Sequence, residues 1–195
     1  MKFSIKREAV LRPLQMVQGV VERRQTLPIL ANVLLSVRDG RLAVTATDME
    51  VEVVAYAALP GVVDGEITVP ARKMTDICRA LPPESDISFE VEGERAIIRC
   101  GRSRFTLTTL PASNYPNTDD VADAVGVAVE GAALKSLLEL TQFAMAHQDV
   151  RYYLNGLLLE VGAQYVRAVA TDGHRLALSE LQVESKGMEE SRQII

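Results

Sequence analysis

Apolar positions recur along this chain with two different periods. Val10, Leu14, Val17 and Val21 form one stripe at helical spacing, which predicts a helix over Arg7 to Val21. Met74, Ile77, Cys78 and Leu81 predict a second over Ala71 to Leu81, with Pro70 just ahead of its first turn, where a missing N–H costs little. Leu134, Leu137, Leu138, Thr141 and Met145 predict a third over Gly131 to Ala146. Between these segments the pattern shortens to alternation in β-branched residues, broken by turn dipeptides. Asn32 to Val37, Asp39-Gly40 and Leu42 to Ala46 predict a hairpin. Ile87 to Val91, Gly93-Glu94, Ala96 to Cys100 and Phe105 to Leu110 predict a meander.

The pattern also repeats at long range. Ala46-Thr47-Asp48 returns as Ala170-Thr171-Asp172, 124 residues on, and Leu30, Leu34, Leu35 and Val37 fall on Leu154, Leu158, Leu159 and Val161 at the same offset. Such a period is far longer than a solenoid unit of about 20–50 residues and matches a small domain. The first and third helices correspond, Val10 to Leu134 and Leu14 to Leu138. An α+β fold is expected, with repeated domains that each pack two helices on antiparallel β-sheets. The first domain is expected over 1–120 and the second over 125–195, with the Pro-, Asn- and Asp-rich stretch from Pro111 to Asp123 as linker. At this period Ser191 to Ile195 matches Ile67 to Ala71, so the chain is expected to stop inside its second domain. A looser match at 54 residues, Val37-x-Asp39-Gly40-Arg41 against Val91-x-Gly93-Glu94-Arg95, suggests that each domain is itself two copies of a helix-plus-strands module.

Composition narrows the function. The 48% hydrophobic and 24% charged residues are ordinary for a packed core. No apolar run approaches the roughly 18 residues of a membrane span, and the N-terminus lacks a signal-peptide apolar region. Cys78 and Cys100 carry no pairing pattern, so reduced thiols in a cytoplasmic setting are the default. The net charge of −5 argues against indiscriminate nucleic-acid binding but leaves room for a local basic surface. Basic residues gather on the helices and their ends: Arg7, Arg12, Arg23 and Arg24 on the first, Arg72, Lys73 and Arg79 on the second. Acids fall in strands and turns, at Asp48, Glu50, Glu52, Glu90, Glu92 and Glu94. A surface meeting phosphate while the rest stays acidic fits this division, and an ordinary solvated helix face is the plainer alternative.

Candidate chemistry is sparse. Asp48 and Asp172 each follow a Thr at a strand end, where Asp commonly binds the turn backbone, and a role shared by both copies explains them more simply than catalysis. A hydrolase using Asp48, Asp172 and His174 would need those side chains to converge, whereas the repeat puts the two aspartates in separate domains. No Cys, His or carboxylate cluster has metal-ligand spacing, no glycine loop has phosphate-binding spacing, and no cofactor is expected. After Thr-Asp the copies diverge: Gly173-His174-Arg175-Leu176 stands where the first has Met49-Glu50-Val51-Glu52. That corner, beside Leu154, fits the rim of a peptide-binding groove. Gln148, Arg151, Tyr152 and Tyr153 add polar and stacking-capable side chains nearby.

Several runs resemble the bacterial DNA polymerase III beta subunit family, the sliding clamps. They are Thr26-Leu27-Pro28-Ile29-Leu30-x-Asn32, Thr68 to Lys73, Gly101 to Phe105, Ala146 to Gly156 and Ala170 to Leu176. The resemblance implies a DNA-clamp fold with three domains per subunit, two subunits pairing head to tail into a ring around double-stranded DNA. The third domain is expected to be absent from this chain. The ring would be a non-catalytic processivity factor. The implied partners are the polymerase III catalytic subunit and its 3′–5′ exonuclease-containing complex, the clamp loader and other proteins with clamp-binding motifs. By similarity Arg24, Arg72, Gln148, Tyr152 and Tyr153 match DNA-facing positions, and Arg79 shares the helix face of Arg72. Leu154, Thr171, Gly173, His174, Arg175 and Leu176 match one side of the partner-peptide pocket. Arg102, Arg104, Phe105 and Leu107 match the edge that meets the partner subunit. An adaptor that never touches DNA would instead leave Arg24, Arg72 and Arg79 on unrelated faces.

Overall fold

A computed structural model describes residues 1–21, 27–116, 127–183 and 191–195. The chain divides into two compact units, Met1–Asp119 and Asp120–Ile195. The first begins with β1 (Lys2–Lys6), α1 (Arg7–Val17), β2 (Asn32–Arg38), β3 (Arg41–Thr47) and β4 (Glu52–Ala58). It then runs through β5 (Gly65–Pro70), α2 (Ala71–Ala80), β6 (Asp86–Glu92), β7 (Arg95–Cys100) and β8 (Ser103–Thr108). These are two βαβββ modules, so the repeat at 54 residues is a repeat of structure. Both sheets are antiparallel, in the orders β4-β3-β2-β5 and β1-β6-β7-β8. The leading strand of each module is exchanged: β1 pairs with β6, Ile5 opposite Ile87, and β5 pairs with β2, Val69 opposite Val33.

One core holds both modules. From α1 it takes Val10, Leu14 and Val17, from α2 Met74 and Cys78, and from the sheets Val33, Leu35, Leu42, Val44, Ile87, Phe89 and Ile98. Phe3 stacks on Phe89 with ring centroids 4.9 Å apart, fastening the exchanged strand β1. Alternation carries the sheets: in β3, Leu42, Val44 and Ala46 all face inward. Between β2 and β3 the two-residue turn uses left-handed backbone at both Asp39 (φ 49) and Gly40 (φ 71), the conformation Asp-Gly tolerates best in a tight hairpin.

The second unit contains α3 (Gly131–Glu139), β9 (Leu158–Val161), β10 (Tyr165–Thr171), β11 (Leu176–Gln182) and β12 (Ser191–Ile194), in sheet order β11-β10-β9-β12. Its core centres on Leu137, Leu157, Val166 and Ala168. Strand registers follow the sequence repeat residue for residue. Leu34 opposes Thr45, and 124 residues on Leu158 opposes Val169. Only the last strand breaks step. Leu34 opposes Thr68, but Leu158 opposes Ile194, two residues beyond the expected partner. Eight residues join β11 to β12 where six join β4 to β5. Ser191–Ile195 therefore corresponds to Gly65–Val69, which corrects the ungapped match to Ile67–Ala71.

The helices are shorter than their stripes suggest. The first ends at Val17, two residues before Gly19, rather than at Val21. The second stops at Ala80 because Leu81 precedes Pro82 and takes extended backbone (ψ 154). The third ends at Glu139, not Ala146. There the Thr141 hydroxyl donates back to the carbonyls of Leu137 (3.0 Å) and Leu138 (3.2 Å), and a 3-10 turn follows over Gln142–Ala144.

Candidate functional site

The two Thr-Asp corners are built alike. In the first unit Asp48 Oδ1 accepts the backbone N–H groups of Glu50 (3.0 Å) and Val51 (2.7 Å), and Thr47 Oγ1 accepts that of Met49 (3.0 Å). In the second, Asp172 Oδ1 accepts those of His174 (2.9 Å) and Arg175 (3.0 Å), and Thr171 Oγ1 that of Gly173 (3.1 Å). These backbone bonds hold both carboxyls below their ordinary range, so each is a fixed acceptor rather than a proton carrier near neutral pH. Each aspartate belongs to its own unit and ties its own turn, which removes the basis for a shared catalytic pair. Among the described residues no group of three His, Cys, Asp or Glu side chains could hold a metal.

Basic side chains of the first unit divide into two roles. Arg7 is structural: its Nε donates to the Cys78 carbonyl (2.7 Å) and Nη2 to that of Arg79 (3.2 Å), capping the C-terminal end of α2. This corrects its grouping with the phosphate-facing cluster. Arg72 and Arg79 do share a face of α2. With Gln18, Val21, Ala71 and Asp76 they line an open hollow of about 390 Å³. Arg79 donates to Gln18 Oε1 (3.0 Å), whereas Arg72 is exposed and makes no ion pair with a described residue. Arg23 and Arg24 lie outside the described residues.

In the second unit Gln148, Tyr152 and Tyr153 share one loop, all exposed, the tyrosine rings meeting edge to face at 6.2 Å. Leu154 and Thr171 line an apolar pocket of about 200 Å³ with Tyr153, Leu158, Val169 and Ile194. Gly173, His174 and Arg175, in the adjoining β10–β11 turn, and Leu176, the first residue of β11, do not line it. Arg175 Nε pairs with Asp172 Oδ2 (3.0 Å) and its guanidinium lies 5.6 Å from the centre of the Phe143 ring, while Leu176 is 65% exposed. Phe143, Ile194 and the pocket wall at Tyr153 escape the sequence reading. In the first unit, Asn32 and Thr45 stand where Gly156 and Val169 stand in the second. There the space is occupied by the buried Tyr115, whose hydroxyl lies 3.2 Å from the Thr45 carbonyl and 3.4 Å from that of Asn32.

Comparison with known families decides what this architecture is. Residues 1–119 match the DNA polymerase III beta subunit, N-terminal domain, and residues 128–195 match the central domain of the same subunit. The chain belongs to the DNA polymerase III beta subunit family. It is 53% identical to the beta sliding clamp of Escherichia coli K12 over 184 residues, covering 94% of this chain and 50% of that protein. Against the beta sliding clamp of Pseudomonas aeruginosa identity is 50% over 196 residues, covering 100% of this chain and 53% of the relative. A crystal structure of the Pseudomonas aeruginosa subunit superposes with a TM-score of 0.94 at 49% identity, over 100% of this chain and 53% of that one. A second crystal structure of a Pseudomonas aeruginosa DNA polymerase III subunit beta, bound to griselimycin, gives 0.92 at 49% identity, again over 100% and 53%. The chain spans about half the length of the relatives it matches.

Against this beta-subunit fold, the residues assigned to a subunit contact lie on or beside β8, at the end of its sheet. Arg102 and Arg104 are exposed, Phe105 is half-buried against the core and Leu107 is buried. Leu107 is thus a core residue, and only the backbone of this edge can extend the sheet at that position.

Proposed function

We propose that this chain forms part of a ring-shaped sliding clamp that encircles double-stranded DNA and tethers the replicative polymerase without catalysing a reaction itself. The observation that carries the reading is membership of the beta-subunit family across both units, joined to the basic α2 face at Arg72 and Arg79 in a protein of net charge −5. A ring holds DNA by topology. A few phosphate contacts on its inner surface then give a weak, salt-sensitive grip, and an acidic exterior avoids competing contacts that would hinder sliding.

In this reading Arg24, Arg72, Arg79, Gln148, Tyr152 and Tyr153 face DNA. Leu154, Thr171 and the Gly173–Leu176 segment receive peptides from the polymerase III catalytic subunit, the clamp loader and other clamp-binding proteins, and to the same region we assign the griselimycin to which a Pseudomonas aeruginosa sliding clamp is bound. The β8 edge with Arg102, Arg104 and Phe105 joins a partner subunit in a homodimeric ring completed by a third domain, in the cytoplasm. The test uses the protein encoded by the natural reading frame. Reversing the charge at Arg24 and Arg72 is expected to lower clamp loading and polymerase processivity, with the loss largest at low salt and shrinking as salt screens the phosphate contacts. Processivity equal to wild type would refute the DNA assignment. His174→Ala with Arg175→Ala is expected to weaken polymerase binding; undiminished affinity would refute the peptide assignment.

A further inference from the structure

We propose that Asp149 is a positioning residue that holds one loop in shape for two ligands at once. The inference rests on the assignment of DNA and peptide faces above and adds how they are joined. Five hydrogen bonds within the loop converge on Asp149. Its Oδ1 accepts the backbone N–H of Arg151 (2.8 Å) and Arg151 Nε (3.0 Å), and its Oδ2 accepts Nη2 (2.8 Å). Its own backbone N–H donates to Asn155 Oδ1 (2.9 Å), and its carbonyl accepts Asn155 Nδ2 (3.0 Å). The Ala146 N–H to Leu154 carbonyl bond (2.9 Å) and the Leu154 N–H to Arg151 carbonyl bond (2.8 Å) close the loop.

What this ring of bonds holds outward is the binding surface. On one side stand Gln148, in left-handed backbone (φ 58), and Tyr152, 82% exposed. That left-handed backbone is strained for a residue with a side chain and persists only where neighbours over-determine it. On the other side Tyr153 and Leu154 form a wall of the apolar pocket. Arg151 extends the tie to the next element. A Cβ on Gly173 would sit 3.6 Å from both Nη1 and Nη2, so the guanidinium packs against the β10–β11 turn. Loosening Asp149 therefore moves the DNA-facing side chains, the pocket wall and the turn together.

The experiment uses the protein from its natural reading frame with Asp149→Asn, Arg151→Gln and the double variant. Arg151→Lys serves as a second probe that keeps charge but loses the two-pronged geometry. The probes are griselimycin and a nicked duplex oligonucleotide at low salt. Asp149→Asn is expected to weaken both roughly tenfold while the melting temperature barely moves, and the double variant to be no worse than the single, since the two residues act through one link. The DNA arm is the sharper one. Removing a negative charge would by charge alone tighten DNA binding, so weakening reports lost geometry. Because the sequence has no Trp, the near-ultraviolet circular dichroism of the tyrosines should also flatten in all four variants. Wild-type protein binding neither probe would overturn the assignment of the faces. Wild-type binding of both with Asp149→Asn undiminished, additive losses, or loss of one ligand alone would overturn the positioning role.

Discussion

The paired Thr-Asp corners allow one backbone conformation to be tested twice in the same chain. Met49 and Gly173 occupy equivalent positions and both have left-handed backbone, at φ 78 and φ 90. A side chain there costs roughly 1–2 kcal/mol, because Cβ crowds the neighbouring carbonyl. Glycine escapes that cost but loses roughly 0.5–1 kcal/mol more conformational entropy on folding. Met49 is 62% exposed, so truncating it removes little packing. Met49→Gly should therefore stabilise the protein by about 0.5–1 kcal/mol, the difference between those terms. Gly173→Ala should destabilise it by about the same amount. The new methyl meets only the Arg151 guanidinium, at 3.6 Å, an ordinary contact that adds no steric cost. Urea titration at matched slope is the direct assay, and the thermal midpoint should move by a few degrees, about 2–6 °C, in opposite directions. A loss of stability in Met49→Gly would refute the reasoning, as would a loss of several kcal/mol in Gly173→Ala, which would mean that contacts and not backbone dominate.

Three other outcomes follow from the same geometry. Tyr115→Phe should cost about 1 kcal/mol for the lost hydroxyl bond and Tyr115→Ala about 3–5 kcal/mol for the cavity, read by denaturant unfolding; equal losses would show that the ring packs weakly. Burial pushes the Cys78 thiol up to about 11, so a thiol reagent at pH 8 should modify Cys100 in the native protein and reach Cys78 only on unfolding, scored by mass spectrometry of digested peptides. The hydrogen bonds from Arg151 hold Asp149 down to about 2. A carboxyl depressed on folding contributes stability that is present above its ordinary value and lost as pH falls through the depressed one. The tyrosine dichroism of the loop should thus stay level from pH 8 to about 4 and fall only toward pH 2, whereas a transition between pH 5 and 7 would contradict the assignment.

The local pattern along this chain was enough for more than its helices and hairpins. Because a strand shows alternate residues to opposite faces, a repeat in the apolar positions is also a repeat in register, and Leu34 opposite Thr45 duly returns as Leu158 opposite Val169. The Thr-Asp corners were equally legible, since an Asp beside a turn binds N–H groups two and three residues away. Strands β1, β4 and β5 were less so, being short or carrying weaker alternation. What tertiary structure alone decided depends on residues far apart in the chain. Arg7 belongs to the end of α2, more than 70 positions on, and not to the basic surface its neighbours suggested. The exchange of β1 and β5 between sheets, the burial of Leu107 and the seating of Arg151 against Gly173 are of the same kind. The two-residue slip of β12 lay hidden because the extra residues fall in a connection, where no periodicity constrains length. Spacing within one element sets which face a side chain is on; only the packing of elements sets what that face meets.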